Sequence, residues 1–150
     1  MPDSKNHMVE ILYIEDNPTD AELTVRALKK KNLANKLMVI EDGAEAVEYL
    51  FAQGKHSERN IQDTPQVILL DLKLPKVSGL EILRMLRENE ETRHVPVVVL
   101  TSSNEEQDIV ESYELGVNSY IQKPVDFHNF AEVVSELGYY WLMLNKPPTD

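Results

Sequence analysis

The run Val67-Ile68-Leu69-Leu70 ends in a carboxylate, Asp71, and continues as Leu72-Lys73-Leu74-Pro75. Four aliphatic residues in a row, with no alternating polar face, read as a strand buried on both sides. An ionised side chain is too costly to bury deep in such a core, so Asp71 belongs at the strand's mouth, at the edge of solvent. In open α/β sheets the carboxyl ends of the strands are where ligands bind. Taken alone, Asp71 reads more readily as an ordinary residue at the start of a loop than as a site, since acidic residues often follow strands.

Other apolar runs surround this one at domain-scale spacing. Val9 to Ile14, Leu37 to Ile40, Val95 to Leu100 (with Pro96 near its start) and Ser119 to Ile121 read as further strands. Segments of helical period lie between and after them. Ala21 to Lys31 sets Leu23, Ala27 and Lys30 on one side, and Ala44 to Phe51 pairs Ala46-Val47 with Leu50-Phe51. Leu80 to Leu86 repeats leucine at positions 80, 83 and 86; Glu105 to Leu115 offers Ile109, Val110 and Tyr113; Phe127 to Leu144 is the longest. Asn17-Pro18-Thr19 predicts a helix start, with Ser78-Gly79, Ser103-Asn104 and Asp126 as further caps. Gly43, Gly54 and Gly116 stand where turns or helix ends are expected, and the polar stretch from Gly54 to Gln66 reads as an extended surface loop. Five strands and five helices in strict alternation call for an α/β protein, a parallel sheet covered on both faces with right-handed crossovers. Strand order does not follow from the periodicity.

Composition narrows the class. A chain of 150 residues, 42% hydrophobic, suffices for one compact domain with a real core. No apolar stretch approaches the roughly 18–20 residues that cross a bilayer, and the polar segment Met1 to Val9 has no signal-like apolar region. The chain has no cysteine, which excludes disulfides, thiolate metal sites and thiol catalysis. A cytoplasmic protein is expected. The formal net charge of -11 argues against nucleic-acid binding, which needs a basic footprint. His7, His56, His94 and His128 are scattered without partners at ligand spacing, and surface placement is expected for all.

Four strand-like runs end in residues with chemical potential: the first in Glu15-Asp16, the third in Asp71, the fourth in Thr101, the last in Lys123 before Pro124. In a parallel sheet these ends share one edge. Three carboxylates that close resist ionising together. Either the Lys123 ammonium or a hard divalent cation could relieve them, and magnesium is commonly held by one or two carboxylates plus phosphate oxygens. One carboxylate could then attack phosphorus to give an acyl phosphate, with Thr101 and Lys123 suited to hold phosphoryl oxygens.

At this point the residues resemble a family, the response-regulator receiver domain of two-component signalling. The matching segments are Tyr13-Ile14-Glu15-Asp16-Asn17, Leu69 to Pro75 with Gly79, Val99-Leu100-Thr101-Ser102 and Tyr120-Ile121-Gln122-Lys123-Pro124. The likeness runs from Val9 to Leu144, which puts a receiver domain at 9–145 between short tails at 1–8 and 146–150. It implies a flavodoxin-like (βα)5 three-layer sandwich with a five-stranded parallel sheet of order 2-1-3-4-5, an order illustrated elsewhere by a chemotaxis relative. It implies Asp71 as phosphoacceptor, with Mg²⁺ (or Mn²⁺) bound by Glu15, Asp16, Asp71 and the Lys73 backbone carbonyl. Thr101 and Lys123 would contact the phosphoryl group, Thr101 and Tyr120 would form the switch, and Lys123-Pro124 is a candidate cis peptide. Such a domain accepts phosphate from a histidine kinase and hydrolyses it slowly; it is not an enzyme in the ordinary sense.

A narrower resemblance, to the small regulators paired with bacterial phytochromes, rests on Asp16 to Leu23, Pro96 to Ser103 and Tyr139-Tyr140-Trp141-Leu142. It implies a phytochrome-type kinase as phosphodonor. In the last helix Phe127, Phe130, Val133-Val134, Leu137, Trp141 and Leu144 suffice for packing on the sheet. Tyr139, Tyr140, Leu142 and Met143, with Trp141, make an additional apolar set, expected to serve self-association or kinase docking; the alternative is a long helix folded back over its own domain. A homodimer through the face of the fourth helix, fifth strand and fifth helix is the family's common arrangement. With no residues left over for an output domain, signalling by protein contact or phosphate relay is expected.

Three other classes compete. A flavodoxin-type electron carrier needs a small, hydroxyl-rich phosphate loop where this chain has Glu15-Asp16-Asn17-Pro18. An aspartyl-nucleophile phosphatase usually carries a second acid two positions on, where Lys73 stands. A non-phosphorylated receiver-like interaction module would have no use for the full acid set.

Overall fold

The computed structural model describes residues 11–30 and 36–123. Five strands, β1 Ile11–Ile14, β2 Leu37–Ile40, β3 Val67–Leu70, β4 Val97–Thr101 and β5 Ser119–Gln122, form one sheet of order β2-β1-β3-β4-β5. All four pairings are parallel. Four helices connect them among the described residues: α1 Pro18–Lys30, α2 Gly43–Leu50, α3 Gly79–Glu88 and α4 Glu106–Glu114. This is the flavodoxin-like order that the family resemblance implies. The expected fifth helix, with Asp126, His128 and the set from Tyr139 to Met143, lies outside the described residues, as do His7, Pro124, and Val9 and Glu10 of the expected first strand.

Strand residues alternate between two cores because successive side chains leave opposite faces. Leu12, Ile14, Ile68, Leu70, Val97 and Val99 pack with Ala46 and Leu50 of α2 and Ile82, Leu83 and Leu86 of α3. Ile11, Tyr13, Val67, Leu69, Val98 and Leu100 pack on the other face with Ala27 and Leu28 of α1. Burial on both faces is what makes β3 an unbroken aliphatic run.

Local expectations needed adjustment in several places. β4 starts at Val97, not Val95: Pro96 has no N–H for the ladder, though its carbonyl still accepts from Ile68 N at 2.9 Å. In α1 the buried set is Thr24, Ala27 and Leu28, while Lys30 is exposed. In α4 Val110 is 48% and Tyr113 53% exposed, so two of the three apolar residues that mark its helical period face outward. Ser103 does not cap α4; Glu105 occupies that position, and the Ser103 hydroxyl bonds Asp108. The stretch after Gly54 opens with a short 3-10 turn, Gly54–His56, and is pinned by Arg59, which bonds the Tyr49 carbonyl and lies over its ring. His56 is not a free surface histidine: it packs edge-on against Tyr49, 3.3 Å from Glu45 Oε2. His94 is exposed as expected.

Other boundary signals hold. Asn17 Oδ1 accepts from Asp20 N at 3.0 Å, and Ser78 Oγ accepts from Glu81 N at 3.2 Å. Gly79 allows a close approach: a Cβ there would lie 2.2 Å from the Asp71 carbonyl oxygen, so only glycine lets α3 start directly against the Asp71 turn. Among the described residues no helix is long and apolar enough to cross a membrane.

Candidate phosphoryl and metal site

Register builds the site. Ile14 aligns with Ile40 on one side and Leu70 on the other, so Glu15 and Asp71 leave adjacent strands at the same level. Their amides complete the ladders, Glu15 N to Ile40 O and Asp71 N to Ile14 O, both 3.0 Å. On β4, next to β3, Thr101 aligns with Gln122 of β5, and Lys123 N donates to Thr101 O at 2.7 Å. The ladder hydrogen bonds thus bring residues far apart in the chain to one edge.

Ligand oxygens of Glu15, Asp16 and Asp71 lie within 4.8 Å of one another. Glu15 and Asp71 are buried and Asp16 is exposed, so the cluster opens to solvent on one side. Lys123 Nζ stands over it, donating to Glu15 Oε1 at 2.7 Å, Asp20 Oδ2 at 2.9 Å and Asp71 Oδ2 at 3.2 Å. The other Asp71 oxygen, Oδ1, accepts from Lys73 N at 3.1 Å, which fixes the carboxylate's rotation. The same turn carries the Lys73 carbonyl, and the Lys73 ammonium reaches to 3.8 Å from Asp108.

Electrostatics follow from this crowding. Burial first, then the neighbouring Asp71, pushes Glu15 up to about 7 against the pull of Lys123. Desolvation draws Lys123 down, but Asp20, Glu15 and Asp71 together outweigh it and hold the ammonium charged above its ordinary range. Tyr13, fully buried in β1, places its hydroxyl 3.1 Å from both Glu15 Oε1 and Thr24 Oγ1. With one proton to give, it donates to the carboxylate and accepts from the threonine. Its burial raises the phenol far out of the titrating range.

Thr101 is buried at the same edge, and its hydroxyl accepts from Ser103 N at 3.3 Å. Tyr120 is half-buried, with its hydroxyl donating to Ser103 O at 2.9 Å. Both residues therefore converge on the turn that leads into α4. Burial raises the Tyr120 phenol, and the Ser103 side-chain hydroxyl only partly offsets that.

The structure thus gathers Glu15, Asp16, Asp71 and Lys123 in one cluster, with Thr101 and Tyr120 beside it. Two participants went unrecognised in the sequence. Tyr13 reads there only as part of the first strand and its motif, and Asp20 only as part of the segment Asp16 to Leu23. Only pairing across 103 residues shows Asp20 to be a partner of Lys123. The donor set suits a hard divalent cation, because it consists of oxygens, carries excess negative charge and is open to water on the Asp16 side.

Comparison with known proteins agrees with this fold. The model of the response regulator receiver domain family matches residues 11–135. Response regulator Rcp1 of Synechocystis sp. is 36% identical over 142 residues, covering 95% of this chain and 95% of that protein. The Mn(2+)-bound crystal structure of Rcp1 covers 93% of this chain and 98% of its own, with TM-score 0.78 and 35% identity. Bacteriophytochrome response regulator RtBRR is 50% identical, with TM-score 0.76 over 94% of this chain and 85% of its own. A match of that span, on this sheet order, makes the chain a member of the response regulator receiver domain family.

Proposed function

We propose that this chain is a phosphoacceptor that takes a phosphoryl group from a histidine kinase onto Asp71. The observation that carries the reading is the carboxylate trio within 4.8 Å, with Lys123 hydrogen-bonded to two of its members. The P–N bond of the kinase phosphohistidine breaks as an Asp71 oxygen bonds phosphorus, and the departing imidazole keeps the electron pair and gains a proton. Mg²⁺, or Mn²⁺, bound by Glu15, Asp16, Asp71 and the Lys73 carbonyl, would neutralise charge on the phosphoryl oxygens. The Lys73 amide orients the Asp71 carboxylate. Lys123 supplies a point charge and Thr101 a hydroxyl for the transferred group. Slow hydrolysis of the acyl phosphate by water then resets the site.

Resemblance to proteins named as bacteriophytochrome regulators supports a phytochrome-type light sensor as the kinase. The turn shared by Thr101, Ser103 and Tyr120 supports a readout in which the threonine follows the phosphoryl group and the tyrosine follows the turn. Exposed Val110 and Tyr113 on α4 support a homodimer through the face of the fourth helix, fifth strand and fifth helix. A cytoplasmic receiver domain spanning 9–145, signalling by protein contact, completes this reading.

The test is transfer of labelled phosphate from a phosphorylated phytochrome-type kinase in the presence of Mg²⁺. Wild type is expected to take label and Asp71→Asn to take none. Equal labelling of the two would sink the assignment.

A further inference from the structure

Lys123 is surrounded by acids in a way that separates one of them from the others. An ammonium has three N–H donors, and here each has a carboxylate partner: Glu15, Asp71 and Asp20. Two of these belong to the carboxylate trio. On the phosphoacceptor reading, Asp71 would become an acyl phosphate and Glu15 would be engaged by the cation. Asp20 is the partner that neither event claims.

Asp20 is placed to remain one. It lies in the first turn of α1, where its amide is capped by Asn17 Oδ1 at 3.0 Å, so its backbone is held to the β1–α1 turn that also carries Glu15 and Asp16. Its side chain is 33% exposed against 13% for Lys123, so the pair sits at the rim, with the ammonium on the inner side. Without Asp20, a long side chain freed from Glu15 and Asp71 could swing into water.

We infer that Asp20 is a positioning residue, an anchor that keeps one N–H of Lys123 while the other two turn to phosphoryl oxygens. The inference rests on the phosphoacceptor reading of Asp71. Two N–H groups are enough for the transferred group, so the anchor does not compete with it. Asp20 is not a metal ligand in this scheme, and its contribution passes wholly through Lys123.

Phosphorylation by acetyl phosphate with Mg²⁺ tests this without a kinase. Asp20→Asn is expected to slow it about threefold, the scale of a partly exposed ion pair, and Asp20→Glu to restore much of the rate. In a Lys123→Met background the same Asp20→Asn change is expected to have no effect. Divalent-cation affinity is expected to stay within about twofold of wild type. A donor-free measurement complements this: in lysine-¹⁵N-labelled protein, Asp20→Asn is expected to speed exchange of the Lys123 ammonium protons with water. Unchanged exchange, faster phosphorylation, or an equal loss in the Lys123→Met background would each overturn the anchor. A collapse of cation affinity would make Asp20 a ligand instead. Wild type that takes no phosphoryl group would strike at the Asp71 reading itself, whereas equal rates for wild type and Asp20→Asn would strike at Asp20 alone.

Discussion

Two cations sit at opposite ends of the sheet, and their surroundings differ in kind. At the carboxyl edge the Lys123 ammonium faces three carboxylates. At the other end Arg87, in the last turn of α3, donates its hydrogen bonds, among the described residues, to backbone carbonyls. Its Nε donates to Leu115 O at 2.6 Å, one terminal nitrogen to Arg93 O and Val95 O at 3.1 and 2.8 Å, and the other to Gly116 O at 3.1 Å. A guanidinium is built for such fixed, planar recognition, and carbonyl dipoles bring no net charge to be balanced. The arginine end is therefore complete as it stands. The lysine end keeps surplus negative charge, which a cation can relieve, and the difference separates a structural clamp from a working site.

The first way to sharpen that contrast is pH, acting on Glu15. Its folded value of about 7 lies above the ordinary 4.5, so the folded protein holds a proton that the unfolded chain releases. That contribution to stability is full below about 4.5 and is lost as pH rises to about 7. In metal-free protein Glu15→Gln is expected to match wild type near pH 4 and exceed it at pH 8 by on the order of 3 kcal/mol, measured by urea unfolding. Parallel profiles for the two proteins would mean that the carboxyl edge is as settled as the arginine end.

Arg87→Ala comes next. Loss of a partly buried guanidinium that four carbonyls share is expected to cost about 2 kcal/mol, with phosphorylation of the surviving folded protein little changed. Loss of phosphorylation at preserved stability would reverse the roles of the two ends. Asp16→Asn is expected to do the opposite of Arg87→Ala. By easing repulsion at the cluster it should raise stability by about 1 kcal/mol or less, while cation affinity, read by titration, falls sharply. The smallest effect is expected on α4, where Val110→Ser and Tyr113→Ser should shift stability by about 0.5 kcal/mol or less. If that face pairs two copies, these changes will instead show in sizing chromatography, as a shift toward monomer.

Much of this was legible before any coordinate. A β3 run with no polar interruption implied two covered faces, and the alternation of periods implied a parallel sheet. Strand ends at Glu15, Asp71, Thr101 and Lys123 then had to share an edge. The misreadings have physical causes too. Val110 and Tyr113 are apolar at helical spacing, yet periodicity alone does not tell a core face from an outward one. His56 stands in a polar stretch, and its contact with Tyr49 comes from the chain folding back over α2.

What the sequence determined by itself is whatever depends on near neighbours: which segments are strands or helices, where caps and turns fall, and which residues terminate each strand. Tertiary structure alone decided the pairings across 52, 103 and 108 residues that surround Lys123. It recruited Tyr13 to Glu15 and Asp20 to the ammonium, and it pushed Glu15 up to about 7. The reason is that charge and burial act through space. A carboxylate's neighbours are set by sheet register and helix placement, and no local pattern of residue types encodes them.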